Sequence, residues 1–98
     1  MADSVPTQDW PFLEAENLSV FTTTRVLDGS HPIRLVVHDE DGDWQFLCGT
    51  VADREHVRVA SLGYMFERDR SVGELHDLPT GWRAWRDSTD EEWEREPR

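Results

Sequence analysis

The sequence predicts an α+β domain: a four-stranded, mostly antiparallel sheet with short helices packed on one face. Three observations carry that expectation. Residues 33–49, I-R-L-V-V-H-D-E-D-G-D-W-Q-F-L-C-G, place two apolar runs on either side of an acidic turn that contains Gly42. Residues 19–27 and 56–60 are rich in β-branched side chains that suit a pleated surface. After residue 61 the apolar spacing changes to three and four, putting Leu62, Met65 and Phe66 on one helical face.

Each element follows in order. Residues 1–9 are polar and are expected to be flexible. Pro11, within the apolar patch Trp10-Pro11-Phe12-Leu13, suits the first turn of a helix, so one or two helical turns are expected over 11–16. Residues 19–27 read as a strand, followed by the turn cluster Asp28-Gly29-Ser30-His31-Pro32. In the hairpin, Asp41-Gly42 is expected to form a two-residue type I′ loop, because glycine supplies the positive φ that loop needs. Val37 then lies opposite Phe46 and Leu35 opposite Cys48, facing the helices, while Val36 and Leu47 share the other face. His38 would face Gln45. The fourth strand, 56–60, keeps Val57 and Val59 on one side, and short connections favour an antiparallel meander.

Beyond the first helix, Asp69-Arg70 interrupts the pattern. Ser71-Val72-Gly73-Glu74 has capping-box spacing and would start a second helix that Pro79 ends. Thr80-Gly81 turns the chain into Trp82-Arg83-Ala84-Trp85-Arg86. A turn or helix there would bring both indole rings together over one end of the sheet. Left exposed, the same segment has the composition of a binding hot spot. Ser88-x-x-Glu91 and Thr89-x-x-Glu92 suggest a short terminal helix over 90–96 anchored by Trp93, with residues 97–98 fraying.

The totals bound the function. Ninety-eight residues, 37% of them apolar and five of them Trp, fit a single domain over residues 1–98 with one modest core. Asp and Glu number 21 against 10 basic residues, giving a net charge of −11. That charge argues against nucleic acid and anionic membrane as partners and permits a basic protein partner. Every basic residue is Arg, a bias expected of a GC-rich genome. The N-terminus lacks a basic region followed by an apolar run, and no apolar stretch approaches the ~18 residues of a membrane span. A cytoplasmic protein is expected.

No pattern points to catalysis. Asp39, Asp41 and Asp43 begin like an EF-hand loop, but the glycine falls fourth rather than sixth and Thr50 stands where a bidentate Glu is needed. His31, His38, His56 and His76 lack ligand spacing, so no metal cofactor is expected. Cys48 falls in an expected core strand and cannot form an internal disulfide, so a buried, inert side chain is expected. The acids gather at the hairpin tip and at Asp87, Asp90, Glu91, Glu92, Glu94 and Glu96. The candidate partner-contact residues are therefore Asp39, Glu40, Asp41 and Asp43 at the tip, with Trp82, Arg83, Trp85 and Arg86. The expected function is a non-enzymatic binding or inhibitory module. The alternative is a small ligand-binding or enzymatic domain using a Trp-rich pocket.

Three segments together, V-H-D-E-D-G-D-W-Q-F-L-C-G, L-G-Y-M-F-E-R-D and L-P-T-G-W-R-A-W-R, resemble a group of small bacterial proteins of unknown function. That group is similar to immunity-type domains of polymorphic toxin systems. The resemblance spans residues 26–93 and implies an immunity-like role. Neither the W-Q-F-L-C-G run nor the L-P-x-G-W-x-A-W-R run carries a chemical role to transfer.

Overall fold

The acidic hairpin closes one residue away from the expected register. In the computed structural model, which describes residues 10–50 and 57–98, the strands β2 (Leu35–His38) and β3 (Trp44–Leu47) pair Val36 with Phe46, Val37 with Gln45 and His38 with Trp44. The cause is Asp39. Its N–H donates to Asp43 O at 2.9 Å, and its Oδ1 accepts from the N–H groups of Asp41 and Asp43 at 2.9 and 3.1 Å. The loop thus holds three residues, with Gly42 last at φ 93° in the left-handed region. A one-residue shift exchanges the faces of a strand. Leu35 and Val37 therefore turn away from the helices, against expectation, while Val36 and His38 join Trp44, Phe46 and Cys48 on the inward face.

Among the described residues the sheet has six strands rather than four, and it is mixed. Its order is β4-β1-β3-β2-β5-β6, where β1 is Ser19–Thr23, β4 is Val57–Ser61, β5 is Trp82–Trp85 and β6 is Glu94–Pro97. β1 runs parallel to β3 and antiparallel to β4, so the expected meander does not form. Its origin is local. Thr23 Oγ1 accepts the Val26 N–H at 3.2 Å and caps a short helix α1, Thr24–Leu27, which ends the strand that was expected to reach residue 27. The chain leaves the sheet there, and β3 occupies the lane beside β1.

Helix α2, Leu62–Arg68, forms where the spacing places it, with Ser61 Oγ accepting the Tyr64 N–H at 3.1 Å. The expected helix from residue 71 is instead a 3₁₀ helix, Arg70–Leu75. Asp69, not Ser71, is its cap: Asp69 Oδ1 accepts from the Ser71 N–H and from Ser71 Oγ at 3.0 and 2.6 Å. No helix forms over 11–16; Trp10 Nε1 donates to Glu14 O at 2.8 Å across bends and a turn. Phe12, Leu62, Met65, Phe66, Val72, Leu75 and Leu78 cover Val20, Val36, Trp44, Phe46 and Ala84 in one core. A Cβ on Gly73 would sit 2.7 Å from Phe66 Cε1, so only glycine permits this approach.

The terminal segment is a strand, not a helix, and Pro97 belongs to it. Cross-strand partners override the capping-box signals. Arg83 Nε donates to Glu96 Oε2 at 2.7 Å, and Arg95 Nη1 donates to Asp77 Oδ1 at 2.7 Å. The Arg95 hydrogen bond, helped by its charge, holds the Asp77 carboxyl below its ordinary 3.8. A depressed folded-state pKa gives stability that is present above the unfolded value and lost as pH falls through the folded one. Asp77→Asn is therefore expected to destabilise slightly at pH 7, because the pair is solvent-screened. Its difference from the wild type should shrink as pH falls below about 4. Urea unfolding across that range checks this, and a difference that grows on acidification would contradict it. Expectations for residues 1–9, for the connection over 51–55 and for His56 lie outside the described residues.

Candidate binding surface

Strand alternation divides the aromatic–arginine segment between two faces. Trp82 and Ala84 point with Arg86 toward the core, while Arg83 and Trp85 lie on the opposite face beside Val37 and Leu35. The two indoles are on opposite sides of the sheet and cannot line one cleft. Trp82 is half-buried against the core, and Trp85 is 38% exposed.

Arg86 serves the fold. It is 4% exposed, and each of its three guanidinium nitrogens donates a hydrogen bond within the fold. Nη2 lies 2.6 Å from Asp69 Oδ2, Nη1 donates to Ser71 Oγ at 2.9 Å, and Nε and Nη2 donate to Ile33 O at 3.3 and 3.0 Å. The Trp93 ring lies 4.0 Å from its Cζ. Arg86 thus joins residue 33, the 3₁₀ helix and the approach to β6, and it is unavailable to a partner.

The open face of the sheet carries the most exposed apolar surface. Partners in register share a face, so Trp85, Leu35 and Leu47 line up across β5, β2 and β3, and Phe21 and Val59 align across β1 and β4. Phe21 is 38% exposed, Val57 48% and Val59 63%, and no described residue covers them. A shallow hollow of about 280 Å³ lies among Phe21, Gln45, Leu47 and Val57. That is small for a drug-sized ligand and suits a side chain or two of a partner. At the β6 border, Glu96 pairs with Arg83, and Glu94 stands opposite Trp85. Beyond β2, Glu40, Asp41 and Asp43 are exposed at the hairpin tip, whereas the Asp39 carboxylate is occupied by the turn itself.

The other candidates have structural partners. His38 stacks on Trp44 with ring centroids 4.0 Å apart, and its Nδ1 lies 2.7 Å from Leu78 O, so it does not pair with Gln45. His31 Nδ1 lies 3.1 Å from Ser30 Oγ. Cys48 is buried, with Sγ 3.1 Å from Thr50 Oγ1. Among the described residues, no three His, Cys, Asp or Glu side chains are grouped to hold a metal ion. No described helix is long and apolar enough to cross a membrane.

Compared with known protein families, curated proteins and solved structures, the chain has no match. Sequence reasoning overlooked Phe21, Leu35, Leu47, Val57 and Val59 as surface. The alternation of Val57 and Val59 was a usable signal; the hairpin register that turns Leu35 outward was not.

Proposed function

We propose that this protein is a non-enzymatic binding module of the bacterial cytoplasm, inhibitory or immunity-like in action, that contacts a basic protein partner through the open face of its sheet. One observation carries the proposal: an apolar row from Trp85 through Leu35, Leu47 and Phe21 to Val57 and Val59 crosses five strands without cover from the described chain. Contiguous apolar surface rimmed by polar residues is a mark of protein contact sites. The resemblance to immunity-type domains supports the same reading. The acidic tip and C-terminal acids supply long-range attraction for a basic partner and speed its association most at low salt. The Trp-rich pocket loses support, because Trp82 and Trp85 occupy opposite faces.

The test is capture of a partner from the native host, followed by association kinetics at two salt concentrations. Wild-type protein should retain a stoichiometric partner whose on-rate falls as salt rises. Reversing Glu40, Asp41 and Asp43 to Arg should slow association and leave dissociation nearly unchanged. Asp39 is kept, since its carboxylate builds the turn. An on-rate indifferent to both salt and charge reversal would overturn the electrostatic part. Turnover of a small molecule would overturn the whole.

A further inference from the structure

We infer that the outer edge of β4 accepts an extended basic segment of the partner protein as a seventh strand. The inference rests on the binding-module reading and specifies how the partner docks.

Among the described residues, β4 ends the sheet and pairs only with β1. The Leu62 N–H donates to Leu18 O at 2.8 Å, in line with the β1–β4 register. In an antiparallel ladder, alternate residues turn their backbone groups to the neighbour. Residues 58, 60 and 62 therefore face β1, and the N–H and C=O groups of Val57 and Val59 face outward. Among the described residues, the only side chain bonded to this edge is that of Arg58, whose Nη1 donates to Val57 O at 2.8 Å.

The two ends of the sheet differ. β6 is E-R-E-P, with three charges and a proline, the usual protection of an edge against added strands. β4 is V-R-V-A-S, with one charge and no proline. Its outward backbone groups belong to residues whose side chains, Val57 and Val59, extend the open apolar face. A strand added here would form main-chain hydrogen bonds while its alternate side chains continued that face, which is the strand-addition mode of peptide recognition.

Charge selects the occupant. At its Ser61 end the edge adjoins a shallow surface depression lined by Glu16, Asn17, Ser61, Gly63, Tyr64 and Glu67. Both carboxylates are exposed, and the Tyr64 ring is 45% exposed. Glu67 already pairs with Arg70 at 3.3 Å and Arg68 lies 5.8 Å from the Tyr64 ring, so the acid open to a basic side chain of the added strand is Glu16, within a chain of net charge −11. A second copy of this chain would bring another −11 charge to the contact, and the repulsion disfavours it.

The test uses the whole chain and an eight-residue peptide alternating Val and Arg, with a Val–Glu peptide as control. Amide exchange is read residue by residue. The basic peptide should slow exchange at Val57 and Val59 by roughly tenfold or more at saturation, and the acidic peptide should not. Val59→Pro removes an outward N–H and spares the β1 ladder, so it should abolish the protection. If that variant fails to fold, Glu16→Arg keeps the strand and should weaken peptide binding several-fold. Absence of peptide-induced protection, equal protection by both peptides, or protection of these amides before peptide is added would overturn the inference. Should a native partner bind Val59→Pro as well as wild type, strand addition fails while the binding-module reading stands.

Discussion

Replacing Arg86 with alanine is expected to destabilise the fold by about 3–5 kcal/mol, the range for removing one partner of a buried ion pair. Asp69 would lose its charge partner while still capping the 3₁₀ helix, and Ile33 O would lose two donors. The Trp93 ring would also lose the guanidinium beneath it. A lysine offers a point charge rather than a planar fork and cannot serve Asp69, Ser71 and Ile33 together. Arg86→Lys should therefore recover only part of the loss. A domain of this size has about 5–15 kcal/mol of stability in total, so the alanine variant should lie near the edge of folding. Urea unfolding followed by far-UV circular dichroism measures it. A loss below about 1 kcal/mol, the level of a surface pair, would show that the buried network carries little of the stability.

Trp44→Ala is expected to cost a similar amount, about 3–5 kcal/mol, through lost burial and the cavity left behind. Trp44 has 0% exposure at the centre of the covered face. Its ring stacks on His38 at 4.0 Å and on Phe46 at 6.0 Å, and meets Phe12 edge-on at 5.5 Å. Its Nε1 donates to Glu14 Oε2 at 3.1 Å, which ties the N-terminal segment to the sheet. Trp44→Phe keeps a six-membered aromatic ring but loses the indole's second ring and its Nε1 donor, so it should cost clearly less than the alanine change. If the two substitutions are equally destabilising, the second ring and the Glu14 bond together, rather than the remaining ring's packing, dominate.

The parts of the fold legible in the sequence are those set by local chemistry. Gly42 within an acidic turn announces the hairpin, and the spacing of Leu62, Met65 and Phe66 announces α2. Val57 and Val59 share a face as their alternation requires. The hairpin register was not legible, because glycine fits both the second position of a two-residue loop and the third of a three-residue loop. The Asp39 side chain decides between them. β6 was not legible either: residues 88–92 carry real capping signals, and only Arg83 across the sheet and Asp77 beyond it make residues 94–97 a strand. The parallel lane of β3 beside β1 is a non-local pairing with no pattern of its own. The candidate surface suffered from both gaps. Glu40, Asp41 and Asp43 are exposed at the tip, Arg86 was placed outside when it lies inside, and the apolar row depends on a register and a strand order that no single segment specifies.

The most direct measurement is the equilibrium affinity of the captured partner for a Phe21→Ser, Val59→Ser double variant, with unfolding midpoints recorded alongside. Both side chains are exposed on the open face, so the variant should unfold close to the wild-type midpoint. If the open face makes the contact, Kd should rise by about tenfold or more, as for loss of more than 1.4 kcal/mol of interface energy. An unchanged Kd in a normally folded variant would contradict the account and place the contact elsewhere on the molecule.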